Sequence, residues 1–427
     1  MTDSDAKHLC LTLLRAETDS DVVAVLRDAA LWEADDCWRF YGDQEGNFST
    51  IGSQQASAEA AIVEKIVNSV DARLIDECRR AGIDPEGPDA PSSLREAVAR
   101  FFDDVGTSPG AGIVSEWPNT KRTEVAKGIT VCATGNLPES GYPSISVADV
   151  GEGQTPLMLP DTILSLPNRS NKLRIPFVQG RFNMGGTGAL RFCGENNLQL
   201  VISKRDPALL DNRSDVTDSL WSFTVVRRES KPAVRNSFYT YLAPVGASEA
   251  PRRGRLLTFA AATMPLLPEG NEALARECSW GTFLKLYEYK LQNKSHIFRK
   301  GGLLRRLDVL LPGVALPVRL YECRDYGGKK GSFATNLSGI AVRLEDDRDN
   351  SLEEGFPDTF AMRVAGEPLS GTLYAFKKGA AEQYVQNEGI LFVIQGQTHG
   401  RFLREFFKRE AVRMGELHPV SLGTGLG

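Results

Sequence analysis

This chain has no paired-cysteine motif. Its seven cysteines are scattered from Cys10 to Cys323 without a C-x-x-C pair, and its four histidines are equally dispersed. Such spacing makes neither a disulfide framework nor a structural zinc site. No run of eighteen consecutive apolar residues occurs, so no segment reads as a transmembrane helix. The opening MTDSDAKHLCLTLLRAETDSD lacks a basic start followed by an apolar core and reads as a short helix, not a signal peptide. The expectation is a cytoplasmic protein with no membrane contact. Positive charge is not in excess either: 50 Lys and Arg against 55 Asp and Glu give a net charge of −5. That balance argues against a uniformly basic nucleic-acid coat. Internal repeats, low-complexity tracts and recognisable nuclease or helicase motifs are all missing. What is present is ordinary globular composition, 41% hydrophobic and 25% charged. A length of 427 residues suffices for two or three domains.

The most informative string is AIVEKIVNSVDARLIDEC. Its periodicity predicts a helix on which Glu64, Asn68 and Asp71 share one narrow stripe, while Ile62, Val63, Ile66, Val67, Val70 and Leu74 form a separate apolar arc. Downstream, SISVADVGEGQTP alternates like a strand and ends in Asp149, followed by Gly151-x-Gly153. A carboxylate at a strand end, then backbone stripped of Cβ atoms, suits close passage beside a ligand. Further on, VQGRFNMGGTGALRFCG sets Gly180, Asn183, Gly185, Gly186, Thr187 and Gly188 ahead of an apolar run. This is the composition of a loop delivering a helix N-terminus, whose unpaired N–H groups hold phosphate oxygens.

At these residues the chain resembles the GHKL ATPase superfamily, which includes gyrase-type topoisomerases, MutL, heat-shock-ninety chaperones, MORC proteins and histidine kinases. The family's E-x-x-x-N-x-x-D-A box stands here as Glu64, Asn68, Asp71 and Ala72. The resemblance implies that Glu64 is the general base activating water, that Asn68 holds Mg2+, and that Asp71 supports them. It assigns Asp149 to the adenine amino group, with Gly151 and Gly153 turning the chain beneath it. The third box, G-x-F-G-x-G-x-x-x-A, falls on Gly180, Phe182, Asn183, Gly185 and Ala189, with Asn183 where a glycine is usual. Lys172, in the NRSNK run before the glycines, resembles a lid lysine reaching the γ-phosphate. Thr282, opening GTFLKLYEY, resembles the threonine beside the adenine-binding aspartate. ATP and Mg2+ are therefore the expected cofactors.

The implied architecture is α+β: the GHKL (Bergerat) ATPase fold, a mixed sheet with helices on one face, followed by a short transducer-like α/β domain. Residues 1–56 are an N-terminal helix and strand segment belonging to the ATPase domain. Residues 57–291 are the ATP-binding domain, with a lid at 161–188, and residues 292–427 are the transducer-like part. Strands are expected at 128–133, 143–149, LQLVISK, LWSFTVVRR, SFYTYLAP, TFLKLYEYKL, PVRLYEC, GIAVRLE, GTLYAFKKG and GILFVIQGQTHG, and helices at LREAVARFFDD, 271–277 and 401–414. Residues 294–306 carry five basic side chains and no acid, a cluster that reads as a solvated helix end or a nucleic-acid contact. In relatives a transducer lysine reaches back to the γ-phosphate, and Lys377 and Lys378 are available for that role. After Met414 no run long enough for a confident strand remains, so this last part reads as shortened or completed by another chain.

Three functional classes compete. An ATP-dependent dimerising switch of the MutL or MORC kind forms a homodimer clamp and works with partner effector proteins on DNA. Bacterial MORC-type ATPases of this arrangement are associated with phage defence and restriction. A chaperone of the heat-shock-ninety kind would need a large client-binding middle domain, and a histidine kinase would need a phospho-accepting histidine upstream. Only His8 precedes residue 296. A nucleotide-gated scaffold that does not hydrolyse ATP is the remaining variant of the first class.

Overall fold

The computed structural model describes residues 1–48, 51, 57–103, 110–166, 171–180, 187–211, 214–230, 237–245, 254–327, 333–380, 389–403 and 423–425. Two helices come first, α1 (Asp3–Arg15) and α2 (Asp19–Asp28). Each starts at a threonine, Thr2 or Thr18, whose hydroxyl accepts an N–H three residues on while an aspartate there bonds back to the cap. Both helices thus satisfy their own orphan donors. The box-bearing helix α3 (Ala58–Arg80) begins at Ser57, whose Oγ accepts the Ala60 N–H at 3.2 Å. Helices α4 (Leu94–Phe102), α5 (Asn119–Ala126), α6 (Leu303–Leu310) and α7 (Ile340–Asp346) follow.

A ten-stranded mixed sheet organises the molecule. Its strands are β1 (Trp38–Phe40), β2 (Ile129–Gly135), β3 (Pro143–Asp149), β4 (Gln199–Lys204), β5 (Trp221–Ser230), β6 (Ser237–Leu242), β7 (Leu257–Phe259), β10 (Gly281–Leu286), β11 (Val318–Glu322) and β12 (Ala334–Leu337). They run in the order β1-β6-β5-β4-β10-β3-β2-β11-β12, with β7 on β5. Every pairing is antiparallel except β2 with β11. The chain is therefore α+β with a large mixed sheet.

Helices cover both faces of this sheet, not one. Ile145, Val147 and Leu286 join Ile66 and Val70 of α3 in one core, whereas Ala148, Leu200, Ile202 and Phe283 join Leu9 and Leu13 of α1 and Val22 and Leu26 of α2 in another. Strand side chains alternate between faces. Central strands apolar on both sides need a second layer to remove that surface from water. A hairpin, β8 (Met264–Glu269) and β9 (Glu272–Cys278), completes the layer on the α1 side. The helix expected at 271–277 is thus a strand. Gly270 takes φ +60° at the first position of a two-residue turn pairing Glu269 with Glu272, and this turn overrides the helix propensity of NEALAREC.

A second correction concerns GIAVRLE, which forms α7 rather than a strand. Ile340 and Leu344 pack in one core and Val342 in another. The period-two pattern therefore marks a short helix wedged between two cores. The 292–427 expectation also changes, because β11 and β12 extend the large sheet beyond residue 291. A smaller five-stranded sheet follows: β13 (Asp358–Val364), β14 (Glu367–Tyr374), β15 (Gly389–Ile394), β16 (Gln397–Leu403) and β17 (Gly423–Gly425), in the order β13-β14-β17-β15-β16. Contrary to expectation, a strand does follow Met414: β17 lies parallel to β15 and antiparallel to β14. Residues 401–403 belong to β16, and the rest of the helix expected at 401–414 lies outside the described residues.

Candidate functional site

Helix α3 is buried almost all round. Between Ala58 and Cys78 only Ala60, Glu64, Asn68, Ala72, Arg73 and Glu77 escape full burial. The first four of these step by four residues, so they mark one line along the helix. Glu64 and Asn68 are therefore the polar groups on the open line of an otherwise enclosed helix, about 6 Å apart along its axis.

The Asp149 end of β3 meets this line. Thr282 of β10 pairs with Asp149, and Ser203 of β4 pairs with Thr282. Directly opposed residues share a face, so three polar side chains replace the apolar ones at the strand ends beneath α3. The Asp149 carboxylate accepts from Ser69 Oγ at 2.8 Å and from the Gly151 N–H at 3.0 Å. A carboxylate offers about four lone-pair directions, so capacity for further donors remains. Burial pushes this carboxyl up to about 6, against the opposing pull of the Ser69 and Gly151 hydrogen bonds. Ser203 Oγ lies 3.0 Å from Thr282 Oγ1 and accepts the Gln154 N–H at 3.0 Å, fixing the turn after Gly153.

The glycines here are required by close approach. A Cβ on Gly151 would stand 2.7 Å from Ala72 Cβ and 2.8 Å from Asp149 Oδ1. One on Gly153, already at φ +58°, would stand 1.8 Å from the Lys204 carbonyl oxygen. Ala72 is the counterpart on α3, and its carbonyl accepts the Glu152 N–H at 3.3 Å. Gly153→Ala is expected to lower stability by more than about 2 kcal/mol, from the left-handed backbone and the forced shift of β4. A thermal melt checks it; an unchanged midpoint would contradict this packing.

The third segment is the strap at 171–180. Lys172 Nζ donates to Asn68 Oδ1 at 2.9 Å and lies 3.3 Å from Asp71 Oδ2. Asp71 is fully buried and accepts the Gln179 N–H at 2.7 Å and the Gly180 N–H at 3.1 Å. Desolvation raises its carboxyl, and Lys172 and the two backbone bonds oppose the shift. A Cβ on Gly180 would meet Asp71 Oδ2 and Val67 Cγ1, each at 2.9 Å. Asp71 thus acts as the anchor that holds the strap against α3.

Glu64, Asn68 and Asp71 stand on α3, Lys172 and Gly180 on the strap above it, and Asp149, Gly151, Gly153 and Thr282 at the sheet edge. Thr187 and Gly188 are described, just before a turn of 3-10 helix at Leu190–Phe192. Phe182, Asn183, Gly185 and Gly186 lie outside the described residues, as do Asn168, Arg169 and Ser170 of the expected lid. Lys377 donates to the Asp349 carbonyl at 2.6 Å, and Lys378 makes no hydrogen bond or ion pair with the described residues of the cluster. Instead, the turn between β15 and β16 approaches the strap. Ser69, Ser203 and Gln179 were not singled out from the sequence. The first two had only the faint signal of a hydroxyl on an apolar face, and Gln179 had none.

The chain matches no protein-family model and no curated protein.

Two other basic regions are less suited to a ligand. A separate cavity of about 540 Å³ is lined by Phe48, Arg191, Arg228, Tyr239 and Lys290 among others. Arg228 and Lys290 there already donate to the Glu195 and Gly194 carbonyls. In the basic run at 294–306, Arg305 pairs with Asp308 and Arg306 donates to the Gly301 carbonyl. Among the described residues, no group of three His, Cys, Asp or Glu side chains could hold a metal ion.

Proposed function

We propose that this chain is a GHKL-type ATPase that binds ATP with Mg2+ between α3, the β3 end and the 171–180 strap. The observation supporting this most strongly is the convergence of α3, the Asp149 turn, the strap and Thr282, segments remote in sequence that meet through buried polar contacts. A merely structural cluster has no use for an aspartate at a strand end, a turn pressed onto a helix by absent Cβ atoms, and a polar line on that helix, all at once.

In this reading Asp149 accepts the adenine amino group, and Gly151 and Gly153 let the turn pass beneath the base. The donor chemistry at Asn68 fits a hard cation. Its amide oxygen already accepts from the Lys172 ammonium, so Asn68 is the residue that would hold the ion. Mg2+ keeps several waters and needs few protein oxygens when phosphates supply others, so one amide oxygen is enough. When bound, the ion would neutralise phosphate charge. Glu64, on the same line of α3, accepts a proton from the attacking water. Lys172, now on Asn68 and Asp71, would exchange them for phosphate oxygens.

The output follows from the resemblance: ATP orders the strap, two protomers associate, and hydrolysis releases them, with partner proteins on DNA and a role in phage defence. The experiment is ATP turnover together with mass in solution, each with and without nucleotide and duplex DNA. Nucleotide-dependent dimerisation with measurable turnover supports the reading. Failure of the intact chain to bind ATP would remove it.

A further inference from the structure

Gln179 lies between the site and the smaller sheet, and it is 1% exposed. Every polar atom it carries is engaged. Its N–H donates to Asp71 Oδ1 at 2.7 Å. Its Nε2 donates to the Gly313 carbonyl at 3.0 Å and to the Gln395 carbonyl at 2.8 Å. Its Oε1 accepts from the Ala315 N–H at 3.4 Å, and its carbonyl accepts from Gln397 Nε2 at 3.2 Å. One buried residue thus joins, through its backbone, the aspartate of α3 and, through its side chain, the loop after α6 and the turn between β15 and β16.

The turn is fitted to this position. Gly396 takes φ +75°, and a Cβ there would stand 1.8 Å from the Gly313 carbonyl oxygen and 2.6 Å from Gln179 Nε2. The Gly313 N–H donates to the Gly396 carbonyl at 3.2 Å, and Thr398 Oγ1 to the Val309 carbonyl at 2.6 Å. Docking on this scale is specific, because a buried amide that loses its partners leaves each unpaired group with its desolvation cost uncompensated. The turn and the strap therefore cannot separate without breaking several hydrogen bonds together.

We propose that Gln179 is a positioning residue that locks the 395–397 turn to Asp71, so that the smaller sheet sets how the strap sits over the nucleotide site. The link is reciprocal, since any free energy by which the docked turn favours one strap position is returned when the strap favours one position of the turn. Its nucleotide consequence rests on the ATP-site reading above, but the link itself does not.

Amide hydrogen exchange on the intact chain tests it, because protection reports local opening. Gly396→Ala should accelerate exchange of the Gln179 and Gly180 amides, which are bonded to Asp71, by at least about tenfold. In the opposite direction, Asp71→Asn should accelerate exchange at Gly313 and across 389–403. A structural role confined to the hairpin predicts that Gly396→Ala loosens only Gly313 and 389–403, and that result would overturn the proposal. Gln179→Glu keeps an acceptor for Ala315 and removes the donors to Gly313 and Gln395, so it must reproduce the Gly396→Ala pattern even if that variant folds poorly. With ATP added, the native chain should show slowed exchange at both the strap and 389–403, and Gln179→Glu only at the strap. If ATP changes no exchange in the native chain, the nucleotide reading fails, and the ligand-free variants still decide the link.

Discussion

Glu64→Ala is expected to slow ATP hydrolysis at least ~100-fold while leaving ATP binding intact, the lower end of what a positioned general base contributes. The separation of the two effects comes from where Glu64 sits. It lies on the open line of α3, between the fully buried Val63 and Lys65, so removing its carboxylate leaves the helix packing in place. Asn68, the strap and the Asp149 end of the sheet, which would carry the binding contacts in the proposed ATP site, are separate groups. Phosphate release measured beside nucleotide binding checks the split. Equal turnover in the variant would remove Glu64 from the mechanism, and a parallel loss of binding would place it among the binding groups.

Asp149→Asn should weaken adenine-nucleotide binding by about 1–3 kcal/mol, since a buried polar group is left unmatched. The native carboxylate takes Ser69 on one oxygen and Gly151 on the other. An amide has one acceptor oxygen, and its NH2 must face a donor, so Ser69, Gly151 or the base loses its partner. Acid should reveal the same contact in the native chain. Protonation through about pH 6 converts the acceptor into a donor, so affinity falls below that pH, and the Asp149→Asn variant should lack this step. For folding stability the sign is reversed. The folded chain holds this proton more tightly than the unfolded one, whose aspartate titrates near 3.8. The group therefore favours folding most at low pH, and that contribution is lost as pH rises through about 6. Isothermal titration from pH 5 to 8 and melts over the same range separate the two signs.

Local structure was legible in the sequence wherever a residue's own backbone or periodicity dictated its place. The α3 pattern, the Asp149 strand end and the Gly151 and Gly153 turn all depend on neighbours within one turn or one strand. The long central strands, 128–133 and 143–149 among them, were equally plain. The errors came where distant partners decided the outcome. Residues 271–277 look helical until Gly270 folds them back on β8, and Ile340, Val342 and Leu344 look like a strand until two cores are found on either side. The second helical layer on the large sheet was hidden because alternation in a strand buried on both faces does not show which face a helix covers. Gln179 was invisible for a related reason. A glutamine in a loop is ordinary, and only its simultaneous partners among the described residues, from α3 to the β15–β16 turn, make it a junction.

The parallel pairing of β11 with β2 bears on how the protein can be divided. A fragment ended at residue 291, where the composition changes, would strip away β11 and β12 and leave β2 as a bare edge seven residues long, six of them buried in the intact protein. Exposed, unpaired strand edges recruit other chains. Such a fragment should aggregate on expression, whereas one carried past Leu337 should stay monodisperse in size-exclusion chromatography. The part of the sheet built before residue 291 is thus sealed by sequence that lies after it, and synthesis must pass that point before the sheet can close.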